Sequence, residues 1–340
     1  MTANYTIKHC NEDFIVDEIP LLPKKNNGQI SIFELEKSNI TTFSAISIIK
    51  HQFNIKKIGY CGLKDEHAIT TQKISINTQN INIDKVNIEL RDGYIKLKKI
   101  DDGYDEHLKI GRLLGNKFKI TIRNINANTL EDFNRKYPKR KIYINYINYY
   151  DEQRFGLPND VANTHIIGNY VLNHNYEAAY NEILLTKSEY KNKLINVYNA
   201  TSSYKNAINT LPMNVLTFYL NSYMSFVWNE KAQNVVLSLI KQGLINCYNY
   251  ISNNFSTKFL SYNTNFQVIP NSNMLEYEYF LNINEKRSSH RKLINNATIF
   301  VSDISKDELF NNKYKIELNF ILDSGNYATM LIKQLMGVLE

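Results

Sequence analysis

The sequence predicts a mixed α/β fold in which both ends of the chain supply strands to one sheet and the middle forms an inserted helical segment. Apolar and polar residues alternate at 115–123 and again at 314–322, and a period of two is typical of half-buried strands. From about 160 to 245 the apolar residues recur at helical spacing instead. A length of 340 residues allows one large domain or two of medium size.

The N-terminal third combines strands with one helix. NITTFSAISIIKHQF at 39–53 has apolar residues near helical spacing, with Thr41 or Thr42 in place to cap the first turn. ISIN at 74–77 and IKLKK at 95–99 alternate as strands do. We therefore expect a helix followed by strands over this region.

The segment GNKFKITIR at 115–123 has the clearest strand pattern. Phe118, Ile120 and Ile122 share one face, which we expect to be buried. The other face is expected to be wet and basic, and it carries Lys117, Lys119, Thr121 and Arg123.

The rest of the chain divides into a helical middle and a C-terminal strand. The longest predicted helix has Pro212 near its start and Gly243 at its end. Residues 248–295 are polar and rich in asparagine, and their pattern predicts no definite element. Strict alternation returns at 314–322, whose apolar face begins at Tyr314.

Composition limits the classes of function. Lys and Arg exceed Asp and Glu by 40 − 33 = +7, and a basic balance favours a polyanionic partner such as nucleic acid. The cysteines Cys10, Cys61 and Cys247 form no CxxC pair, and the seven histidines form no HExxH motif. Neither a disulfide framework nor a metal site is expected.

The sequence has no membrane signal. The N-terminal MTANYTIKHCNEDF lacks the apolar core of a signal peptide. No stretch approaches the roughly 18 uninterrupted apolar residues that a membrane span needs. A cytoplasmic protein with reduced cysteines is therefore expected.

GYCGLKDEHAITTQ at 59–72 places Lys64 and Asp65 directly after a glycine turn. By itself this pattern is compatible with an ordinary surface turn. It lacks the GxxxxGK[ST] spacing of a phosphate-binding loop, which argues against a small-molecule enzyme with a nucleotide cofactor. Asp65 is the candidate catalytic carboxylate.

Six segments, in order, resemble the TruD family of tRNA pseudouridine synthases, whose catalytic aspartate lies in an AGxKDxxAxTxQ turn. Together they extend over almost the whole chain. The segments are KHCNEDFIVDEIP (8–20), YCGLKDEHAITTQKISI (60–76), LKIGRLLGNKFKITIR (108–123), NYYDEQRFG (148–156), SFVWN (225–229) and LNFILDSGNYATMLIKQL (318–335).

The resemblance implies both a fold and an activity. The fold is a pseudouridine synthase core, with a largely antiparallel sheet and a central cleft, formed by 1–156 and 301–340. A TruD-specific α/β domain is inserted at 157–300. The activity is isomerisation of uridine to pseudouridine in tRNA, usually at position 13 of the D-arm. The alternative is a catalytically silent protein of the same fold that binds tRNA and assists its folding.

The resemblance also assigns roles to residues of the site. Asp65 would be the nucleophile, and Lys8 would pair with it, because a carboxylate in a closed site needs an opposing positive charge. Tyr150 would be the aromatic platform for the uracil ring, at a position where the family usually has phenylalanine. Asn148 would hydrogen-bond the target nucleotide. Phe14 and Tyr327 match aromatic positions that line the substrate site, with ordinary core packing as the alternative for both.

Some positions depart from the family pattern or carry charge. Asp151 stands where glycine or alanine is usual, and it would place a negative charge beside an anionic substrate. Lys96, Lys98 and Lys99 form one basic cluster, and Lys286, Arg287, Arg291 and Lys292 form another.

An internal rearrangement implies no cofactor and no metal, and the expected protein is a monomer that binds tRNA. Lys64 is expected to point away from the pocket, because adjacent residues of an extended chain alternate sides, or instead to contact phosphate. The candidates for RNA phosphate contacts are Lys64, Arg135, Lys136, Lys139, Arg140 and Arg291.

Overall fold

The protein is described by a computed structural model over residues 5–79, 83–156, 161–241, 245–247, 266–268 and 292–337. The strands are β1 (Phe14–Pro20), β2 (Lys25–Ser38), β3 (Ile58–Tyr60), β4 (Ile69–Asn77), β5 (Lys85–Glu89), β6 (Tyr94–Tyr104), β7 (Leu113–Ile125), β8 (Lys141–Ile147), β9 (Ile245–Cys247), β10 (Phe266–Val268), β11 (Ile294–Lys306) and β12 (Tyr314–Asp323). The α-helices are α1 (Thr42–Gln52), α2 (Ala127–Lys136), α3 (Thr164–Leu172), α4 (Tyr176–Leu185), α5 (Lys191–Thr201), α6 (Tyr204–Asn209), α7 (Met213–Lys241) and α8 (Ala328–Met336).

The chain divides into two compact units. One comprises 1–144, 296–328 and 339–340, and the other comprises 145–295 and 329–338. The assignment of a catalytic core and an inserted domain to the ranges named above stays a prediction.

Among the described residues, ten strands join in one sheet with the order β5-β6-β2-β4-β1-β7-β12-β11-β8, and β3 pairs with β4 beside this path. The β1–β4 pair is parallel, whereas β1–β7, β7–β12, β11–β12 and β2–β4 are antiparallel. Strands from both ends of the chain lie side by side, since β7 pairs with β12. The predicted mixed fold with a largely antiparallel sheet is confirmed.

Helix α1 covers one face of the sheet, as its sequence pattern predicts. Thr41 is its N-cap, and the threonine oxygen accepts a hydrogen bond of 3.1 Å from the amide of Ser44. The helix buries Ala45, Ile46 and Ile49. These side chains join a core cluster with apolar residues of β2, β4 and β6, including Phe33, Leu35, Ile74, Ile76, Ile95 and Leu97.

Strand β7 follows the predicted alternation except at its C-terminal end. Phe118, Ile120 and Ile122 are buried, but Thr121 and Arg123, predicted on the wet face, are buried too. The exception at Arg123 has a physical cause, because its guanidinium binds three carboxylates at 2.8–3.0 Å. Burial opposes its charge, but the hydrogen bonds outweigh burial, and the pKa of Arg123 lies above its usual value. The carboxylates belong to Asp13, Asp307 and Glu308.

The second unit contains the predicted helical middle of the chain. Helices α3 to α7 occupy 164–241, and Pro212 directly precedes the first residue of α7. Gly243, the predicted end of that helix, lies outside the described residues. Across the part of the chain that the structure describes, no helix has both the length and the apolarity that a bilayer crossing requires. The core of this unit includes Ile167, Ala179, Tyr180, Ile183, Leu194, Ala207, Ile208 and Tyr219.

Candidate active site

Residues 61–68, which we call the Asp65 loop, connect β3 to β4 without regular secondary structure. The Asp65 side chain is 39% exposed, and its Oδ2 lies 2.6 Å from Lys8 Nζ. Within the described residues no group binds the other carboxylate oxygen, Oδ1. The predicted pairing of Lys8 with Asp65 is confirmed, although 57 positions separate them.

The backbone close to Lys8 is hydrogen-bonded to strand β7. Two residues before Lys8, the backbone of Thr6 exchanges two hydrogen bonds of 2.8 Å with the backbone of Arg123. The Lys8 backbone takes a left-handed conformation with φ of 57°, which costs energy for a residue other than glycine. Its ammonium lies 4.1 Å from the centre of the Phe14 ring. The anchored backbone and the ring together fix the cation beside Asp65.

Phe14 packs in the core of the first unit. Its side chain is 2% exposed, and its ring meets Phe118 edge-on with a centroid separation of 6.1 Å. Between the two alternatives for Phe14, the structure supports core packing. The ring acts on the site through its contact with the Lys8 ammonium.

Buried polar side chains hold the backbone of the Asp65 loop. Thr42 Oγ1 accepts a hydrogen bond of 3.0 Å from the amide of Lys64. Gln72 Nε2 donates to the carbonyl of Gly62 at 3.1 Å, and Thr42 donates to Gln72 Oε1 at 3.1 Å. Because the loop belongs to no strand or helix, these side chains provide hydrogen-bond partners for its backbone groups. Gln72, the last residue of GLKDEHAITTQ, therefore has a structural role.

Lys37, at the end of β2, also holds the loop, and sequence reasoning missed it. Its Nζ donates at 2.7 Å to the carbonyl of Asp65 and at 2.7 Å to that of Ile40. The available signal was its position, since Phe33, Leu35 and Lys37 alternate on the buried face of β2. A lysine at a core position of a strand indicates a specific partner.

Lys64 differs from its predicted role as a phosphate contact. Its ammonium lies 2.6 Å from Glu18 Oε2, and the two side chains are 6% and 0% exposed. A phosphate contact would require this buried ion pair to break, leaving the glutamate unpaired in the core. The structure therefore argues against Lys64 as a phosphate contact and gives it a role in fixing the loop to β1.

In the second unit, α7 positions the segment that contains Tyr150. Asn229 binds both backbone groups of Tyr150: its Oδ1 accepts from the amide at 2.9 Å and its Nδ2 donates to the carbonyl at 2.9 Å. The Tyr150 ring lies 5.7 Å from the Trp228 ring and 5.8 Å from the Arg154 guanidinium carbon. The backbone and the ring of Tyr150 are therefore both held.

The same face of α7 carries two buried serines, which bind the segment further along. Ser222 donates to the Arg154 carbonyl at 2.9 Å, and Arg154 Nε donates to Ser225 Oγ at 3.0 Å. Ser222, Ser225 and Asn229 are spaced three and four residues apart, which places them on one side of a helix. A polar stripe within an aromatic-rich helix is the sequence signal that predicts such a role.

Asn148 and Tyr327 are placed in different units. Asn148 is buried in the second unit, where its Nδ2 donates to the Lys292 carbonyl at 3.3 Å. Tyr327 is half-buried in the first unit, in the turn between β12 and α8. The roles of both residues towards substrate stay predictions.

Asp151 does not present an unbalanced charge, contrary to expectation. Its side chain is buried, with Lys333 Nζ at 2.6 Å from Oδ1 and the Thr329 hydroxyl donating to Oδ2. Burial raises the pKa of Asp151, but the charge and hydrogen bond of Lys333 outweigh burial and hold that pKa below its usual value. The departure from the family pattern is compensated locally by an ion pair between the buried Asp151 carboxylate and the half-buried Lys333.

The basic clusters differ in how many of their residues form ion pairs with carboxylates. Arg135, Lys136, Lys139 and Arg140 are exposed at the end of α2 and before β8, and Arg135 pairs with Asp132. In the other cluster, Lys96 pairs with Glu36 and Lys99 with Asp102, which weakens it as an anion site. Lys286, Arg287 and Arg291 lie outside the described residues.

The geometry of the first unit defines a type of chemistry. A partly exposed carboxylate that is fixed by one ammonium can attack an electrophilic carbon or accept a proton. Within the described residues there is no group of three or more histidine, cysteine or acidic side chains suited to hold a metal ion.

Comparisons with known proteins agree on one family. A family model described as "TruD: tRNA pseudouridine synthase D (TruD)" matches residues 2–198. A protein of Methanococcus maripaludis called "Probable tRNA pseudouridine synthase D 1" is 26% identical, over 97% of this chain and 98% of that protein. The "tRNA pseudouridine synthase D" of Aquifex aeolicus is 30% identical, over 69% of this chain and 67% of that protein.

A solved structure is similar in fold. The crystal structure of the putative tRNA pseudouridine synthase D of Methanosarcina mazei superposes with a TM-score of 0.60 and 22% identity. It covers 100% of this chain and 96% of that one.

Proposed function

The chain belongs to the TruD family of tRNA pseudouridine synthases, and from this membership we propose that it isomerises uridine 13 of the tRNA D-arm with Asp65 as the nucleophile. Membership of the family supports the general activity, uridine isomerisation in tRNA. The modified position within the tRNA and the roles of the residues are proposed in addition.

The reaction rearranges one nucleotide without a co-reactant. The bond between N1 of uracil and C1′ of the ribose breaks, and a bond between C5 and C1′ forms. C5 loses its proton and N1 gains one, so atoms and electrons balance within the substrate. In this proposal Asp65 attacks C1′ as the base departs, and the turned base then displaces the carboxylate.

The observation that carries the proposal is the Lys8–Asp65 pair. One oxygen of the Asp65 carboxylate lies 2.6 Å from the Lys8 ammonium. The loop that contains Asp65 is held by hydrogen bonds from buried side chains. Fixing a reacting group in place removes orientational entropy from the barrier. Lys8 supplies the local positive charge that an anionic nucleophile requires.

Tyr150 is proposed as the platform for the detached ring. A uridine in folded RNA must leave its stack before C1′ can be reached, and unstacking costs a few kcal/mol. Stacking on an aromatic face recovers about 1–3 kcal/mol per base. The contacts of Tyr150 with Asn229, Trp228 and Arg154 support this role, because a platform must itself be held in position.

The test is the substitution Asp65→Asn, which keeps the size of the side chain and removes its charge. We expect a variant that binds tRNA like the parent but forms no pseudouridine, measured by mass spectrometry of the digested tRNA. A matched control is Asp105→Asn on the surface, which should be fully active. Pseudouridine formed by Asp65→Asn at the parental rate would rule out the nucleophile.

Position 13 is tested with paired transcripts. A tRNA that carries uridine at 13 should be modified, and the same tRNA with cytidine at 13 should not. Modification of both transcripts to the same extent would show that another position is the target. A parent protein that binds the tRNA and modifies neither transcript would favour the silent folding chaperone.

A further inference from the structure

Lys37 is a lysine at a core position. Its side chain is 0% exposed, and it continues the buried face of β2 after Phe33 and Leu35. Its neighbours across the sheet, Thr70 on β4 and Ile95 on β6, carry no charge. A leucine or methionine here would extend the apolar core without any cost of burying charge.

The ammonium of Lys37 binds two backbone carbonyls. Nζ lies 2.7 Å from the oxygen of Ile40 and 2.7 Å from the oxygen of Asp65. Ile40 directly precedes Thr41, the N-cap of α1, and the next residue, Thr42, binds the backbone of the Asp65 loop. One buried cation therefore ties the start of α1 to the main chain of the reactive residue.

We propose that Lys37 is a positioning residue, whose ammonium anchors the main-chain carbonyl of Asp65 and thereby fixes the carboxylate against Lys8. This inference rests on the proposed function of Asp65. Two lysines then hold one residue at two points: Lys8 binds its side chain at 2.6 Å and Lys37 binds its backbone at 2.7 Å.

The reason for a cation rather than a neutral donor is strength. A hydrogen bond from a charged donor is roughly twice as strong as one between neutral groups. The loop has no regular secondary structure to hold it, so its geometry depends on such side-chain bonds. A displacement of about 1 Å at a reacting group can lower the rate on the order of 10²-fold.

Burial also makes this cation sensitive to pH. Burial lowers the pKa of Lys37 to about 8, while Asp65 and Glu66 act to raise it and Lys64 acts to lower it. Above pH 8 the folded protein loses the proton, whereas an unfolded chain keeps it to higher pH. Between about pH 8 and the ordinary pKa of a lysine, the unfolded state therefore binds more protons than the folded state. The contribution of Lys37 to the free energy of unfolding rises with pH over this range. A loss of activity above pH 8 from this cause occurs without unfolding.

The experiment compares Lys37→Met, which keeps length and removes charge, with Lys73→Met on the adjacent strand β4. Lys73 forms an ion pair with Glu34 at 2.5 Å, so its variant likewise loses one lysine ammonium from the sheet, but among the described residues its side chain forms no hydrogen bond or ion pair with the Asp65 loop. We expect Lys37→Met to lower kcat on the order of 10²-fold, with tRNA Kd within about threefold of the parent. Lys73→Met should keep the parental kcat.

The pH profile separates positioning from a merely structural effect. The parent and Lys73→Met should both lose kcat above about pH 8, and the residual activity of Lys37→Met should lack this decline. Circular dichroism across the same range should show a folded parent. Any titration of the substrate itself would appear equally in all three proteins.

The outcomes distinguish the two proposals. If Lys37→Met turns over within about threefold of the parent while Asp65→Asn is inactive, the inference is wrong and the proposed function stands. If Asp65→Asn is active, the proposed function fails first. Should Lys37→Met not fold, Lys37→Gln decides, because it keeps a neutral donor at this position: a kcat near the parental value overturns the inference, and a fall on the order of 10²-fold with the parental tRNA Kd supports it.

Discussion

At the scale of single residues, the setting of Asp65 is made by side chains that are remote in sequence. Lys8 binds its carboxylate, Lys37 binds its carbonyl, and Gln72 holds the carbonyl three residues before it. Lys64, its neighbour in the chain, instead turns into the core towards Glu18. The position of the Asp65 side chain is therefore defined by long-range contacts, and adjacency in the motif does not indicate a shared role.

The Asp151–Lys333 pair gives a prediction about stability. Removing one partner of a buried ion pair leaves an uncompensated charge, which typically costs about 3–5 kcal/mol. We expect Lys333→Met to lower the free energy of unfolding by an amount of this order, measured by urea denaturation. Lys313→Met, in the turn before β12, should change it little, and equal losses in the two variants would contradict the assignment.

The same pair predicts a direction of pH dependence. Because the folded-state pKa of Asp151 is lowered, its contribution to stability is present above the ordinary pKa of an aspartate. It is lost as pH falls through the lower folded-state pKa. Urea denaturation of the parent at descending acidic pH should show this loss. The loss should be smaller in Asp151→Asn, and identical slopes in the two proteins would count against the pair.

At the scale of elements, α7 combines an apolar surface with a polar stripe. Its apolar and aromatic side chains belong to the core of the second unit, as Tyr219 and Trp228 show. The buried Ser222, Ser225 and Asn229 instead bind the segment that contains Tyr150. A single helix thus supplies packing on one side and hydrogen bonds to an irregular segment on another.

Asn229 provides the test of that arrangement. Asn229→Leu removes the two hydrogen bonds that Asn229 makes to the backbone amide and carbonyl of Tyr150, each worth about 0.5–1.5 kcal/mol. We expect kcat for pseudouridine formation to fall at least about tenfold as Tyr150 loses its fixed position. Asn214→Ala, an exposed position on the same helix, should behave like the parent. An unchanged kcat in Asn229→Leu would remove Tyr150 from the site.

At the scale of the whole molecule, we expect the basic charge to contribute to binding of tRNA. The net charge of +7 is moderate, and several lysines are already paired, such as Lys96 with Glu36. The exposed basic residues at the end of α2 and before β8 are better placed to meet phosphates. Electrostatic binding releases counterions, so affinity should decrease as salt rises.

A salt titration tests the contribution of these residues. The logarithm of the association constant should fall linearly with the logarithm of salt concentration, with a slope of about −0.9 for each phosphate engaged. The double variant Lys139→Ala, Arg140→Ala should reduce the magnitude of this slope by about 2. The double variant of the paired Lys96 and Lys99 to alanine should reduce it less. A parental affinity that does not respond to salt would contradict phosphate binding altogether.

The sequence by itself determined the elements whose cause is local. The strands β7 and β12 and the capped apolar face of α1 follow from periodicity and capping, which depend only on neighbouring residues. The six motif segments were sufficient to indicate the family and to name Asp65 and Lys8 as partners. These predictions agree with the structure because each depends on which residues lie two to four positions apart, or on a pattern shared with relatives.

Tertiary structure alone decided which charges are buried and with what partners. The alternation of β7 predicts that Arg123 faces solvent, yet Arg123 is buried and binds three carboxylates from distant segments. Lys37, Lys64 and Asp151 are likewise ordinary charged residues in the sequence, and their burial follows from contacts 3 to 182 positions away. The physical reason is that desolvation and ion pairing depend on distance in space, which periodicity along the chain does not encode.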